Sequence, residues 1–194
     1  MERLPEAGFG FADGWLPADL SARLRDRLER LQAEGQLADA GLGRQGARRQ
    51  RVDIRRAATR WLEGEDPAER AFLDLAETIR LALNRLHFLG LFEFECQFIA
   101  YPVGGFYARH LDSLAGARNR IVSLVAYLDE DWLPGEGGSL VVWPETEDGE
   151  APLAEILPKA GRLVLMMSER MPHEVRPATR PRHAIAGWWR LAST

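Results

Sequence analysis

A histidine and an aspartate one residue apart, His110 and Asp112, form the pair of metal-binding type from which the chemistry of this 194-residue chain can be read. On an extended segment, side chains alternate from face to face, so both would project to one side and reach a single ion. Two imidazoles and one carboxylate on one face of an octahedron leave coordination positions open, as in the non-haem Fe(II) sites that admit a chelating cosubstrate and O2. The third ligand has to come from another strand, and His87, His173 and His183 are the remaining histidines. His173 follows Met171-Pro172 at the start of a strand-like run and fits best. His87 sits in a helical stripe, where an end-of-helix histidine meets backbone or water, and His183 alternates away from the face of Arg182. A lone His-x-Asp arises by chance in many chains, so it needs a second feature beside it.

Arg182 is that feature. The segment His173-Glu-Val-Arg-Pro-Ala-Thr-Arg-Pro-Arg182 reads as two short strands joined by a turn between Pro177 and Pro181, which returns a guanidinium toward the third ligand. A cation beside a metal ion calls for a dicarboxylate cosubstrate such as 2-oxoglutarate. One end chelates the iron, and the distal carboxylate takes a two-pronged pair from the planar guanidinium. Ala184, Ala186 and Trp188 share the face of Arg182, and the two alanines leave room for a ligand. Arg176 falls on the outward face and Arg180 in the turn, so neither competes well for this role.

The elements that must position these residues follow from periodicity. Pro17 to Glu34, with Leu20, Leu24, Leu28 and Leu31, and Pro67 to Phe88, with Phe72, Leu75, Ile79, Leu83 and Leu86, have helical spacing, and Gly35 is a stop for the first. From Phe94 onward the chain becomes strand-like: Phe94–Tyr101, Tyr107–Leu111, Ile121–Leu128, Ser139–Trp143, Arg162–Met167, His173–Arg176 and Arg182–Trp189. Helices first and strands afterwards predict an α+β fold with a double-stranded β-helix core, jelly-roll or cupin-like, and N-terminal helices packed on one outer face. One domain over 1–194 is expected, with 1–92 as helical support and substrate-side loop and 93–190 as the catalytic core. Between the helices, Arg44, Arg48, Arg49, Arg51, Arg55, Arg56 and Arg60 stand against a single acid, Asp53. This stretch reads as a loop with short strands at best, either a solvated surface or a contact for an acidic partner. The acidic run Glu145–Glu150 reads as an exposed loop.

Composition narrows the class further. A net charge of −4 without a basic tail disfavours a nucleic-acid coat protein, so nucleic acid is not the expected partner. The single cysteine, Cys96, suits a reducing compartment. No run approaches the roughly 20 apolar residues that span a bilayer, and Met1 to Asp13 lacks a targeting pattern, so a cytoplasmic protein without membrane contact is expected.

Several segments, taken in order, resemble the prolyl hydroxylase-domain family of Fe(II)/2-oxoglutarate-dependent oxygenases, which includes the hypoxia-inducible-factor prolyl hydroxylases and bacterial relatives. They are Tyr101-Pro102, Tyr107-Ala-Arg-His-Leu-Asp112, Tyr127-Leu-Asp-Glu-Asp-Trp132, Gly137-Gly-Ser-Leu140, Pro172-His-Glu-Val175 and Ala178-Thr-Arg-Pro-Arg182-His-Ala-Ile185. The resemblance runs from about Phe94 to Trp189, with a weaker match at Asp53-Ile-Arg55 and Trp61-Leu-Glu-Gly64. It implies His110, Asp112 and His173 as iron ligands and Arg182 as the partner of the 2-oxoglutarate distal carboxylate. It further implies Tyr101 and Tyr127 as 2-oxoglutarate contacts, Val125 and Leu140 as apolar walls of that pocket, and Trp188 on the substrate side. Two departures stand out: the turn between Tyr101 and His110 is one residue shorter than in the animal enzymes, and the family's Ile-Arg-Gly-Asp reads Ile54-Arg55-Arg56-Ala57. The second removes an acid that in relatives pairs with an arginine matching Arg120.

The activity implied is hydroxylation of a protein prolyl residue at C4, with O2 and 2-oxoglutarate converted into product, succinate and CO2, and ascorbate as reductant. Bacterial relatives suggest translation elongation factor Tu as a substrate. Three other readings remain open at this stage: the same chemistry on a free amino acid, small metabolite or nucleic-acid base; a non-catalytic, ligand-gated binding module; and a cupin-type protein holding Zn or Mn. A degraded triad would mark the second, and the third leaves Arg182, Tyr101 and Tyr127 unexplained. Asp112→Ala, which removes charge and geometry together, is expected to abolish iron-dependent 2-oxoglutarate turnover. Undiminished succinate formation by that variant would remove Asp112 from the ligand set.

Overall fold

The structure, a computed structural model, describes residues 3–40, 54–114, 116–117, 119–145 and 151–192. Arg44, Arg48, Arg49, Arg51 and Asp53 of the arginine-rich stretch, and the acidic run beyond Glu145, lie outside the described residues. The chain opens with a short α1 (Leu4–Ala7) and β1 (Phe9–Ala12), then α2 (Ala18–Ala33), β2 (Ala38–Asp39), β3 (Ala58–Trp61) and α3 (Pro67–His87). The strands that follow are β4 (Glu93–Tyr101), β5 (Tyr107–His110), β6 (Val122–Tyr127), β7 (Leu140–Val142), β8 (Ala154–Ile156), β9 (Leu163–Met167), β10 (His173–Val175) and β11 (Arg182–Arg190).

Both long helices form where their leucine stripes require. In α2 the buried residues include Leu20, Leu24, Leu28 and Leu31, and Gly35, at φ 68°, ends the helix as expected. Pro17 lies at the N-cap rather than inside the first turn. In α3, Asp66 caps the start by accepting from the Ala68 amide at 2.7 Å. Its buried stripe runs Phe72, Ala76, Ile79 and Leu83, so Ala76 takes the place expected of Leu75, while Leu86 is exposed. Glu69, buried in α3, accepts from Arg27 of α2 at 3.0 Å and from the Gly64 amide at 3.2 Å, which ties the two helices together.

The described strands form two antiparallel sheets: a large one, in the order β1-β9-β6-β11-β4-β3-β2, and a small one, β5-β10-β7-β8. The helices cover the outer face of the large sheet, burying Phe98, Leu124, Ile185 and Trp189 against their leucines. Its inner face meets the small sheet, which is the double-stranded β-helix architecture expected. Three strands, β1, β2 and β8, were not foreseen, and β3 falls at the end of the arginine-rich stretch read as a loop with short strands at best; none of the four is flanked by an apolar run long enough to show alternation. β3 nevertheless extends the large sheet directly beside β4.

Register places the inner-face residues of the large sheet in rows. Arg182 lies opposite Tyr101; Ala184 lies between Ile99 and Tyr127; Ala186 between Gln97 and Val125; Trp188 between Glu95 and Ser123. In the small sheet His173 lies opposite His110. The helix layer should contribute stability without touching this interior. Leu28→Ala, at a fully buried stripe position, is expected to lower unfolding free energy by about 2–5 kcal/mol, measured by chemical denaturation. A loss below about 1 kcal/mol would show that the α2 stripe does not hold the layer in place.

Candidate active site

Three ligand atoms, one each from His110, Asp112 and His173, lie within 4.8 Å of one another. The Nε2 atoms of His110 and His173 are each 3.6 Å from a carboxylate oxygen of Asp112. Both imidazoles are oriented from behind: Nδ1 of His110 lies 2.8 Å from the Ala108 carbonyl, and Nδ1 of His173 lies 2.9 Å from the Met171 carbonyl. A carbonyl accepts only, so each Nδ1 carries the proton and each Nε2 presents its lone pair to the shared space. Ser123 donates to Asp112 at 2.7 Å and is backed by the Ser168 hydroxyl at 2.8 Å. Burial opposes the Asp112 charge, yet His173, His110 and Ser123 together hold its carboxyl well below the usual carboxylate range. Burial, reinforced by neighbouring His110 and opposed by Asp112, lowers the His173 pKa, which favours the neutral imidazole, the form that binds a metal.

β5 ends at His110, so Asp112 sits in a bend beyond the strand rather than on it, and it still converges with His110. The pairing of β10 with β5 shifts register between His173 and Val175. That irregularity brings the Tyr107 ring onto His110, 3.5 Å between centroids and 18° from parallel, although simple alternation would put them on opposite faces. The guanidinium of Arg55 lies over the Tyr107 ring, 4.7 Å from its centroid.

Arg182 is 2 % exposed. Its Nε donates to the Gly138 carbonyl at 2.9 Å, and its guanidinium lies 4.9 Å from the Tyr101 ring and 5.1 Å from that of Tyr127. Gly138 is at φ 69°, and a Cβ there would meet Trp132 at 2.7 Å and Arg182 at 3.3 Å, so only glycine lets the backbone reach the arginine this closely. Among the described residues, one terminal nitrogen of Arg182 and the Tyr127 hydroxyl are both buried with no hydrogen-bond partner. Burial raises the Tyr127 phenol to about 12, with Arg182 opposing, so it stays protonated and able to donate. Two unsatisfied donors in one buried place fit a carboxylate.

The triad and Arg182 line one cavity of about 1320 Å³, together with Tyr101, Val125, Leu140 and Trp188. The structure therefore brings together every site residue named from the sequence; Tyr127 is not in the cavity lining itself but lies next to it, its ring 5.1 Å from the Arg182 guanidinium. Trp188 stands toward the mouth, edge to face with Trp61 at 6.3 Å and covered by the Arg120 guanidinium at 3.8 Å. Nε and Nη2 of Arg120 donate to Glu95 at 3.2 and 3.0 Å, so Glu95 holds the guanidinium in place. His183 points to the helix side and bonds Asp129, as its strand parity required. Sequence reasoning passed over Ser123 and Ser168. Ser123 shares the inward parity of Val125 and Tyr127 and could have been found by it; Ser168 lies beyond the end of β9 and could not.

Comparison with known proteins agrees with this geometry. Residues 96–190 match the model of the 2OG-Fe(II) oxygenase superfamily. The crystal structure of a Pseudomonas putida prolyl-4-hydroxylase is 37 % identical and superposes with a TM-score of 0.86 over 99 % of this chain and 97 % of that one. A Trichoplax adhaerens prolyl hydroxylase, solved in complex with a hypoxia-inducible-factor oxygen degradation domain peptide fragment, is 26 % identical with a TM-score of 0.86, over 97 % of this chain and 86 % of that one. Human Egl nine homolog 1 is 31 % identical over 94 % of this chain, which spans 43 % of that protein's length. The chain belongs to the 2OG-Fe(II) oxygenase superfamily. Within it, the chain is prolyl 4-hydroxylase-like.

Ser123→Ala should leave the fold intact but weaken metal binding about 10–100-fold, because Asp112 loses the hydroxyl that orients it. Titration with Mn(II) would test this, and an unchanged affinity would show that Ser123 does not orient the ligand.

Proposed function

We propose that this chain is an Fe(II)- and 2-oxoglutarate-dependent dioxygenase that hydroxylates a prolyl residue of a protein at C4, with release of succinate and CO2. The observation that carries the cosubstrate is the buried, incompletely bonded Arg182 in the same cavity as the triad. In this reading His110, Asp112 and His173 hold the iron. Arg182 and the Tyr127 hydroxyl take the distal carboxylate, Tyr101 packs beside it, and Val125 and Leu140 form the apolar walls. Trp188 faces the substrate. Iron held there would supply O2 activation coupled to oxidative decarboxylation of 2-oxoglutarate, one oxygen atom going to succinate and the other to the substrate C–H bond. The protein's share is to hold the ligands in the correct tautomer, fix the cosubstrate at its far end and keep water from the reacting face.

The prolyl substrate rests on the similarity to prolyl hydroxylases in bacteria and animals, one of them solved with a peptide bound. Ascorbate is the proposed reductant, the cytoplasm the proposed location, and translation elongation factor Tu the first protein to try. No helix among the described residues is long and apolar enough to cross a membrane. We further propose that the chain works as one oxygenase domain, with residues 1–92 supporting and flanking the core of 93–190.

The test is incubation with a cell extract, Fe(II), 2-oxoglutarate and ascorbate, followed by mass spectrometry for proline residues that gain one oxygen atom. Arg182→Ala should raise the 2-oxoglutarate requirement about tenfold or more, because charge-assisted hydrogen bonds worth roughly 1.5–3 kcal/mol are lost. An oxygen gain found only on free metabolites would overturn the protein substrate. An unmoved Michaelis constant in the variant would place the anchor elsewhere.

A further inference from the structure

The turn between β9 and β10, Ser168–Arg170, supports the proposed metal site more than once. It is tight in itself: the Arg170 and Met171 amides both donate back to the Met167 carbonyl, at 3.0 and 3.1 Å, and the Ser168 amide donates at 3.0 Å to the carbonyl of Ile121, which precedes β6. Just past the turn, Met171 supplies the carbonyl that orients His173. At its start, Ser168 backs Ser123, which donates to Asp112. Glu169 stands between these two residues and has no part in either contact. Its carboxylate reaches across to the loop beyond Asp112, where one oxygen accepts the Gly116 amide at 3.0 Å and the other lies 3.3 Å from the Ser113 hydroxyl. Ser113, buried, also donates its amide to the Ser168 carbonyl at 3.2 Å and its hydroxyl to the Asn119 side chain at 2.6 Å.

We propose that Glu169 is a positioning residue for Asp112; this rests on the metal site in the function proposed above. It pins the loop that follows this ligand to the turn that already holds His173, so two ligands share one support. Asp112 needs such support because it stands past the end of β5, where no ladder fixes its backbone. The Ser168 carbonyl holds the start of the loop at one point, about which it can pivot, and the second anchor at Gly116 removes that freedom. A carboxylate suits the task because its two oxygens can serve groups at different places along a loop. Metal ligands have to be held to within about half an ångström, and groups behind them commonly decide affinity. The role is one of reach and hydrogen bonding rather than charge, so a carboxamide of the same length can fill it. Its oxygen takes the Gly116 amide, and its NH2 can donate to the Ser113 oxygen.

The experiment compares wild type with Glu169→Ala, Glu169→Asp and Glu169→Gln, and uses Leu28→Ala, in the helix layer, as a destabilised control. Mn(II) affinity is read by electron paramagnetic resonance, which counts the free ion, and the stability of each metal-free protein by chemical denaturation. Glu169→Ala should weaken Mn(II) binding roughly tenfold. Glu169→Asp, which keeps the charge but falls one methylene short, should weaken it as well. Glu169→Gln, which loses the charge but keeps the reach, should stay within about threefold of wild type, as should Leu28→Ala. Should Glu169→Ala not fold, the aspartate and glutamine variants decide between them. Unchanged Mn(II) affinity in the folded alanine or aspartate variant overturns the proposal. So does a loss in Glu169→Gln as large as in Glu169→Ala, which would make the charge the cause, or a matching loss in Leu28→Ala, which would make metal binding a reflection of general stability. Wild type whose Mn(II) affinity does not fall on Asp112→Ala overturns the metal site itself, whatever the Glu169 variants do.

Discussion

The hydrogen bond from Ser123 to Asp112 crosses between the two sheets at the point where the chemistry takes place. Asp112 follows β5 of the small sheet, whereas Ser123 belongs to β6 of the large one and is itself held by Ser168 beyond β9. Apart from this bond and that of Arg182 to Gly138, the facing interior is largely apolar, and apolar burial has no direction. Ligand orientation therefore depends on a few polar contacts: the carbonyls of Ala108 and Met171 behind the two imidazoles, and the serine pair behind the carboxylate. A metal site demands placement to within a fraction of an ångström, which packing alone does not supply. The antiparallel match of His173 with His110 sets the coarse geometry, and these hydrogen bonds set the fine one.

Neighbouring residues on β11 show what distinguishes a site from a structural ion pair. His183 faces the helices and finds a complete environment. Asp129, fully buried, accepts its backbone N–H at 2.5 Å and its Nδ1 at 2.8 Å, and Arg25 of α2 approaches that carboxylate at 3.3 Å. Arg182, one residue away and facing inward, has aromatic rings and one carbonyl but, among the described residues, no carboxylate. A buried guanidinium without a counter-ion is costly, and a fold that keeps one beside a fully paired neighbour has left room for an anion. The charge balance of the cavity points the same way: an acid at the metal end draws a cation, and a cation at the far end draws an acid.

How far the sequence revealed this depends on which rule each residue obeys. Residues on the long central strands follow alternation, so the inward set Arg182, Ala184, Ala186, Trp188, with Val125 and Tyr127, could be read directly. The helical stripes were legible for the same reason, apart from the exchange of Leu75 for Ala76. Alternation fails where a strand is irregular. The Tyr107 ring on His110 follows from a register shift that no periodicity predicts, and β1, β2, β3 and β8 are too short to carry a pattern. Contacts that join distant segments, such as Ser168 behind Ser123 or Glu69 beneath Arg27, were invisible because only the tertiary fold brings the partners together.

The rim of the cavity is held from the sheet itself. Glu95 approaches Arg120 from β4, directly opposite Trp188 in the ladder, and accepts two hydrogen bonds from its guanidinium. Arg120 is thereby fixed to the sheet itself and pressed flat on Trp188, so the mouth of the cavity is built on two of the most extensively paired strands in the molecule. A rim held in this way does not need the preceding segment for its shape. Arg55, which opens the segment leading into β3, places its guanidinium 4.7 Å from the centroid of Tyr107, the ring that stacks on His110, so a cation and an aromatic ring together line the wall beside the first metal-binding histidine.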